Sequence, residues 1–244
     1  MTVQDTPILL TRDEQGQLHA QVNACAHRGA PLAAGYGSQR VLVCPFHGWT
    51  YNLDGSLRGR PQANSFSTAP EECSLRRLCV SESGGIIVVA PGEAVQQPAV
   101  DAALAEISDE LASFEFQRYR TLMRRELQVQ ANWKLINDLS LESYHFSNLH
   151  RDSVAQMLES NAVFDHWQRS SRWAFPLKSI TALADTPEQD WPDELQGSCT
   201  YTLYPGVMVI VNALGAQMIR AEPGMTPGTA RVTYTGMCAP GCDE

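Results

Sequence analysis

A chain of 244 residues with 43% apolar content can bury one large or two modest hydrophobic cores. Its formal charge of −9 and pI near 5.1 argue against nucleic acid or an acidic membrane surface as partner, and no apolar run approaches the roughly 20 residues that span a bilayer. Seven cysteines at irregular spacing fit reduced thiols better than a disulfide framework, and Met1-Thr-Val-Gln-Asp5 lacks the basic and apolar regions of a secretory signal; both suggest a cytoplasmic protein.

Residues 7 to 90 read as β-rich. Ile8–Thr11 and Leu18–Val22 flank the turn Asp13-Glu-Gln-Gly16, a hairpin signal, and Val41–Val43, Trp49–Tyr51 and Ile86–Val89 are further strand candidates. The pattern suggests a small antiparallel barrel with two hairpin tips.

Those tips carry Cys25-Ala-His27-Arg-Gly29 and Cys44-Pro-Phe-His47-Gly48-Trp49, or C-x-H, 16 residues, then C-x-x-H. Each loop offers one thiolate and one imidazole. Two of each is the ligand set of a Rieske [2Fe–2S] centre, in which histidines replace cysteines on one iron. A structural zinc site is the rival, since two cysteines and two histidines also suit tetrahedral zinc. Zinc motifs more often pair like ligands within a knuckle, whereas both loops here mix them.

Pro91-Gly92 and Gln96-Gln-Pro98 mark a boundary near residue 95, and Leu104, Ile107 and Leu111 predict a helix over 99–114. A strand is expected over Tyr119–Gln130 and a helix over Asn132–Phe146. Cys199–Tyr204, Val207–Val211, Gln217–Arg220 and Arg231–Thr235 follow as meander strands. Overall the pattern is α+β, a β-rich module followed by an α+β module.

Along this helix and just beyond it, Glu142, His145 and His150 could supply part of a 2-His-1-carboxylate triad, which leaves positions open on Fe(II) for O2 and substrate. A surface or capping role is the ordinary alternative for each. Glu142 and His145 would share a helix face, but a five-residue step turns roughly 140° away in a straight helix. The helix must therefore end or bulge between His145 and His150 for both rings to reach one metal. His19 and His166 fall outside both motifs and read as surface or packing residues.

Cys25-Ala-His27-Arg-Gly-Ala-Pro-Leu32 and Cys44-Pro-Phe-His-Gly-Trp-Thr-Tyr51 resemble the Rieske domain of ring-hydroxylating oxygenase alpha subunits. Asn132-Trp-Lys, then Glu142, Tyr144-His145 and His150, resembles the mononuclear-iron segment of the same enzymes. The resemblance implies an all-β Rieske domain over 1–95 and a helix-grip-like catalytic domain with an antiparallel sheet over 96–244. Cys25, His27, Cys44 and His47 would hold the [2Fe–2S] cluster, and His145 and His150 a mononuclear Fe(2+). Glu142 would bridge a Rieske histidine and an iron histidine across a subunit boundary.

The implied function is that of a terminal oxygenase component. It would take electrons from a separate reductase or ferredoxin and activate O2 to hydroxylate or demethylate a small organic substrate, most readily an aromatic one. A homotrimer is implied, with no nucleic acid or membrane partner. A Rieske electron carrier with a non-catalytic second domain is the alternative.

Respiratory Rieske proteins carry an extra cysteine in each loop and a serine after the second His-Gly, where Ala30, Phe46 and Trp49 stand here. Fewer hydrogen bonds to sulfur would place the potential toward the low end of roughly −150 to +300 mV. Relative to the family the chain is short at both ends. The family's third iron ligand, an Asp on a helix near the C-terminus, has no match, since neither Asp165 nor Asp243 stands in a corresponding context. A C-x3-C pair, Cys238 and Cys242, is read as carrying no metal.

Overall fold

In the computed structural model, which describes residues 2–3, 5–193 and 196–241, the first hairpin forms where its turn chemistry predicts. β1 (Thr2–Val3) pairs with β2 (Thr6–Arg12), and β2 runs antiparallel to β3 (Leu18–Val22) with Ile8 opposite Val22. Asp13 Oδ1 accepts the Gln15 and Gln17 amides, and Gly16 takes the left-handed backbone (φ +79°) that closes the turn. His19 Nε2 lies 2.8 Å from Asp13 Oδ2, a local side-chain contact within the hairpin.

Instead of a barrel, the first unit contains two antiparallel sheets. β4 (Leu42–Val43), β5 (Thr50–Tyr51) and β6 (Leu57–Gly59) form a small sheet of their own. β7 (Arg77–Ser83) and β8 (Ile86–Ala90) complete the order β1-β2-β3-β7-β8. Only the second ligand loop is a hairpin tip, between β4 and β5. The first loop follows β3 and runs into irregular chain, because β3 and β4 belong to different sheets.

The boundary expected near residue 95 lies instead between Phe114 and Glu115. Pro98 sits in the first turn of α1 (Gln97–Ala105), where its missing N–H costs nothing. α1 and α2 (Ser108–Phe114) pack on β7 and β8, burying Val100, Leu104, Ile107 and Leu111. The helix predicted over 99–114 is thus two helices on the expected apolar face. At Gly84 (φ +55°) a Cβ would stand 2.1 Å from the Leu111 carbonyl oxygen, so the β7–β8 turn is pressed against α2.

The second unit is built on a seven-stranded antiparallel sheet of β9 (Arg120–Val129), β10 (Val163–His166), β11 (Ser170–Pro176), β12 (Gly197–Leu203), β13 (Val207–Asn212), β14 (Gly215–Pro223) and β15 (Ala230–Cys238). Its spatial order is β10-β11-β12-β13-β14-β15-β9. Alternation puts Tyr201, Leu203, Val209 and Val211 on one buried face. The pattern missed β10 and β11, because their turn, Trp167-Gln-Arg169, has none of the Gly, Asn or Pro that marks hairpins.

Between β9 and β10 lie α3 (Trp133–Asp138), α4 (Phe146–Leu149) and α5 (Val154–Met157). Asn132 caps α3 by accepting the Lys134 amide at 3.0 Å, and the Trp133 ring packs over Gly206. Cys238 is disulfide-bonded, so the expectation of reduced thiols fails for it, since cysteine spacing does not say which thiols meet. Cys25, Cys44, Cys73 and Cys79 are not disulfide-bonded, while Cys242 and Asp243 lie outside the described residues. Among the described residues no helix is long and apolar enough to cross a membrane.

Candidate metal centres

The two ligand loops of the first unit share one backbone design. Gly29 N donates to Cys25 O and Cys25 N to Ala30 O; in the second loop Gly48 N donates to Cys44 O and Cys44 N to Trp49 O. Gly29 and Gly48 both take the left-handed backbone, at φ +73° and +72°, which returns each chain onto its cysteine.

This geometry sorts the donors by element. Cys25 and Cys44 are buried among Leu42, Trp49, Tyr51, Cys73 and Leu75, with their side chains in hydrogen-bond contact. His27 and His47 lie farther out and turn their Nδ1 atoms toward each other at 3.1 Å. Two bonds of about 2.0–2.1 Å at a tetrahedral angle would separate two nitrogens by roughly 3.3 Å. The nitrogens are therefore placed to share one metal ion. A sulfur pair inside and a nitrogen pair outside fits a dinuclear cluster with cysteines on one iron and histidines on the other.

The electrostatics agree. Burial pushes the Cys44 thiol up, but hydrogen bonds from the Phe46 and His47 backbone and from Cys25 outweigh it and favour thiolate. Burial, then the His47 and Arg28 charges, lowers His27, which favours the neutral imidazole a metal requires. Tyr51 was not among the sequence-predicted site residues. Its hydroxyl lies 3.1 Å from Cys25 Sγ and accepts the Ala26 amide at 3.2 Å. Burial, then Cys25, raises the phenol far above its usual range, so it stays protonated and can donate to sulfur. The C-x-x-H-G-W-T-Y spacing was the available signal, since Tyr51 ends the two-residue return strand β5 with its side chain fully buried.

In the second unit the helix expected over Asn132–Phe146 breaks earlier than predicted. α3 tightens to a 3-10 turn at Leu139–Leu141, and Glu142 is extended, at φ −150° and ψ 154°. Chain direction therefore changes before His145 instead of between the two histidines. His145 and His150 stand at the N- and C-terminal caps of the four-residue α4, with ring centroids 5.2 Å apart. The step along the helix does not separate them because both lie at its ends.

Glu142 does not share a helix face with His145. It folds over the start of α4, accepting the His145 amide at 3.2 Å through Oε2 while Oε1 contacts His145 Nδ1. The hydrogen bond to His145 holds its carboxyl below the usual range. A carboxylate on Nδ1 fixes the tautomer that leaves Nε2 free as a ligand.

Asp165 pairs with Arg172 at 2.5 Å. Among the described residues, no third His, Cys, Asp or Glu completes a metal-holding group with His145 and His150. An aromatic run adjoins the pair: Phe146 contacts both histidine rings and Phe175, Phe175 stacks with Trp173, and Trp173 meets Phe164.

Residues 1–75 match the Rieske [2Fe-2S] domain, and residues 116–241 match the catalytic domain of the ring hydroxylating alpha subunit. The chain belongs to the Rieske ring-hydroxylating oxygenase alpha subunits. A Rieske cluster and a mononuclear iron are the cofactors of this family; two cysteines and two histidines suit the first, while His145 and His150 would supply two of the donors of the second.

This Rieske oxygenase chain is 35% identical over 170 residues to the glycine betaine monooxygenase oxygenase subunit of Chromohalobacter salexigens, covering 68% of this chain and 37% of that protein. It is 34% identical over 185 residues to the carnitine monooxygenase oxygenase subunit of Acinetobacter pittii, covering 70% of this chain and 49% of that protein. The chain thus spans less than half the length of these relatives. Its fold matches a quaternary ammonium Rieske monooxygenase whose structure bears on carnitine oxidation and inter-subunit electron transfer. That match has a TM-score of 0.77 and 22% identity, covering 98% of this chain and 64% of that one.

Proposed function

We propose that this chain forms the cluster-bearing and iron-bearing part of a Rieske monooxygenase that oxidises a small quaternary ammonium compound. Cys25, Cys44, His27 and His47 hold the [2Fe–2S] cluster, and His145 and His150 supply the histidine ligands of the mononuclear iron. When bound, the two groups store and deliver electrons and activate O2. Glu142 orients His145 through Nδ1 and provides a carboxylate through which a neighbouring subunit's cluster histidine is reached.

The observation that carries the substrate reading is the aromatic run beside His145 and His150. Faces of Phe, Tyr and Trp attract a quaternary ammonium group through the ring quadrupole, with a gain of about 2 kcal/mol when desolvated. Within the run, the buried Trp173 Nε1–H has no hydrogen-bond partner among the described residues and is a donor for a substrate carboxylate. The names of the betaine and carnitine relatives support the same class over the aromatic substrate expected from the motifs. A partner reductase or ferredoxin and a homotrimer complete the proposal.

Tryptophan fluorescence during titration with glycine betaine, carnitine and benzoate tests this reading. Saturable quenching by the two zwitterionic quaternary ammonium compounds, lost in Trp173→Leu, is the expected result. Binding of benzoate alone would return the reading to aromatic acids.

A further inference from the structure

Arg60 is remote from both ligand motifs, yet it ends beside the cluster cage. Its guanidinium carbon lies 4.6 Å from the Phe66 ring centroid and 5.5 Å from that of Trp49. Nη2 donates to the Thr68 carbonyl at 2.7 Å and Nη1 to Cys73 Sγ at 3.1 Å. The His27 imidazole lies flat on Trp49, with centroids 4.9 Å apart and planes inclined by 3°. Phe66 meets both rings edge-on. Trp49 is only 4% exposed, and Cys73 belongs to the same buried cluster as Cys25 and Cys44.

We infer that Arg60 is a positioning residue for the Rieske centre, its fixed charge raising the reduction potential and its contacts seating Trp49 against His27. This rests on the cluster reading above. Reduction adds one negative charge to the cluster, and a nearby cation stabilises that state most where water is excluded. A guanidinium cannot lose its charge and lies well on aromatic faces, which suits it to this place better than an ammonium. Arg28 also lies near His27 but is exposed, so solvent screens it.

The test is potentiometric titration, by visible circular dichroism, of the reconstituted full chain carrying Arg60→Gln, Arg60→Met, Arg60→Lys or Arg28→Gln. Iron and acid-labile sulfide are measured in each. The inference predicts normal cluster content, a lower potential in both neutral Arg60 variants, recovery of most of the shift in Arg60→Lys, and a smaller shift in Arg28→Gln. Either neutral variant suffices if the other does not assemble. A wild-type potential in a cluster-loaded neutral variant overturns the inference, as do equal shifts in Arg60→Gln and Arg28→Gln. Loss of the cluster in both neutral variants also overturns it, making Arg60 an assembly residue. Wild-type protein that takes up no labile sulfide would instead refute the cluster reading itself.

Discussion

His27 and His47 present Nδ1 to each other at 3.1 Å, whereas His145 has Nδ1 occupied by Glu142. The same side chain is thus set up in two ways. The first pair offers Nδ1 from two short loops, and at His145 a carboxylate engages Nδ1 and leaves Nε2 open.

Tyr51→Phe removes the hydroxyl beside Cys25 Sγ and leaves the Ala26 amide without its acceptor. The variant is expected to assemble its cluster, to lose about 1 kcal/mol of stability, and to have a lower reduction potential because one sulfur hydrogen bond is gone. Redox titration beside wild type checks this, and an unchanged potential would remove Tyr51 from the tuning of the site.

Glu142→Gln should leave iron bound at both sites and slow oxidation of the reduced cluster in a single turnover with substrate and O2. The amide can still cap α4, but it carries no charge to hold the His145 tautomer. Wild-type rates of cluster oxidation would reduce Glu142 to a helix cap.

Two glycines separate backbone strain from steric collision. Gly29→Ala meets no atom within 4 Å and bears only the left-handed backbone, about 1–2 kcal/mol. Gly84→Ala bears that cost and also drives a Cβ into the Leu111 carbonyl, so denaturant unfolding should show a larger loss. Equal losses would mean that α2 is not packed on the β7–β8 turn.

Acid sensitivity should include a contribution from Asp54. Burial raises its carboxyl, but hydrogen bonds from Ser56 and the charges of Arg77 and His19 outweigh this and lower it from the usual 3.8. A depressed folded value stabilises the protein above the unfolded value, and that stabilisation is lost as pH falls through the folded one. Asp54→Asn should therefore cost stability at neutral pH, below about 1 kcal/mol for so exposed a pair, and the difference should shrink as pH falls through the lowered folded value. Unfolding curves at several pH values test it, and a pH-independent difference would contradict it.

The parts legible in sequence were those written in short segments. The C-x-H and C-x-x-H loops each carry a cysteine, a histidine, a glycine and the closing hydrogen bonds within six residues, so the design of each loop was readable before the fold. The Asp13–Gly16 turn and the buried row of Leu104, Ile107 and Leu111 were local in the same way. Contacts that join distant positions were not. Tyr51 reaches Cys25 across 26 residues, and Arg60 meets Cys73 across 13. Helical periodicity continued through Glu142, where the chain in fact turns extended to cap α4. The boundary near residue 95 was misplaced because Pro91 and Gly92 mark a loop, while the helices after it return to the first unit.

Iron and acid-labile sulfide content of the anaerobically reconstituted full chain tests the central claim most directly. The account predicts about two labile sulfides and about three irons per chain, with only the third iron lost in His145→Ala. A chain that takes up one zinc ion through Cys25, His27, Cys44 and His47 and no labile sulfide would contradict it.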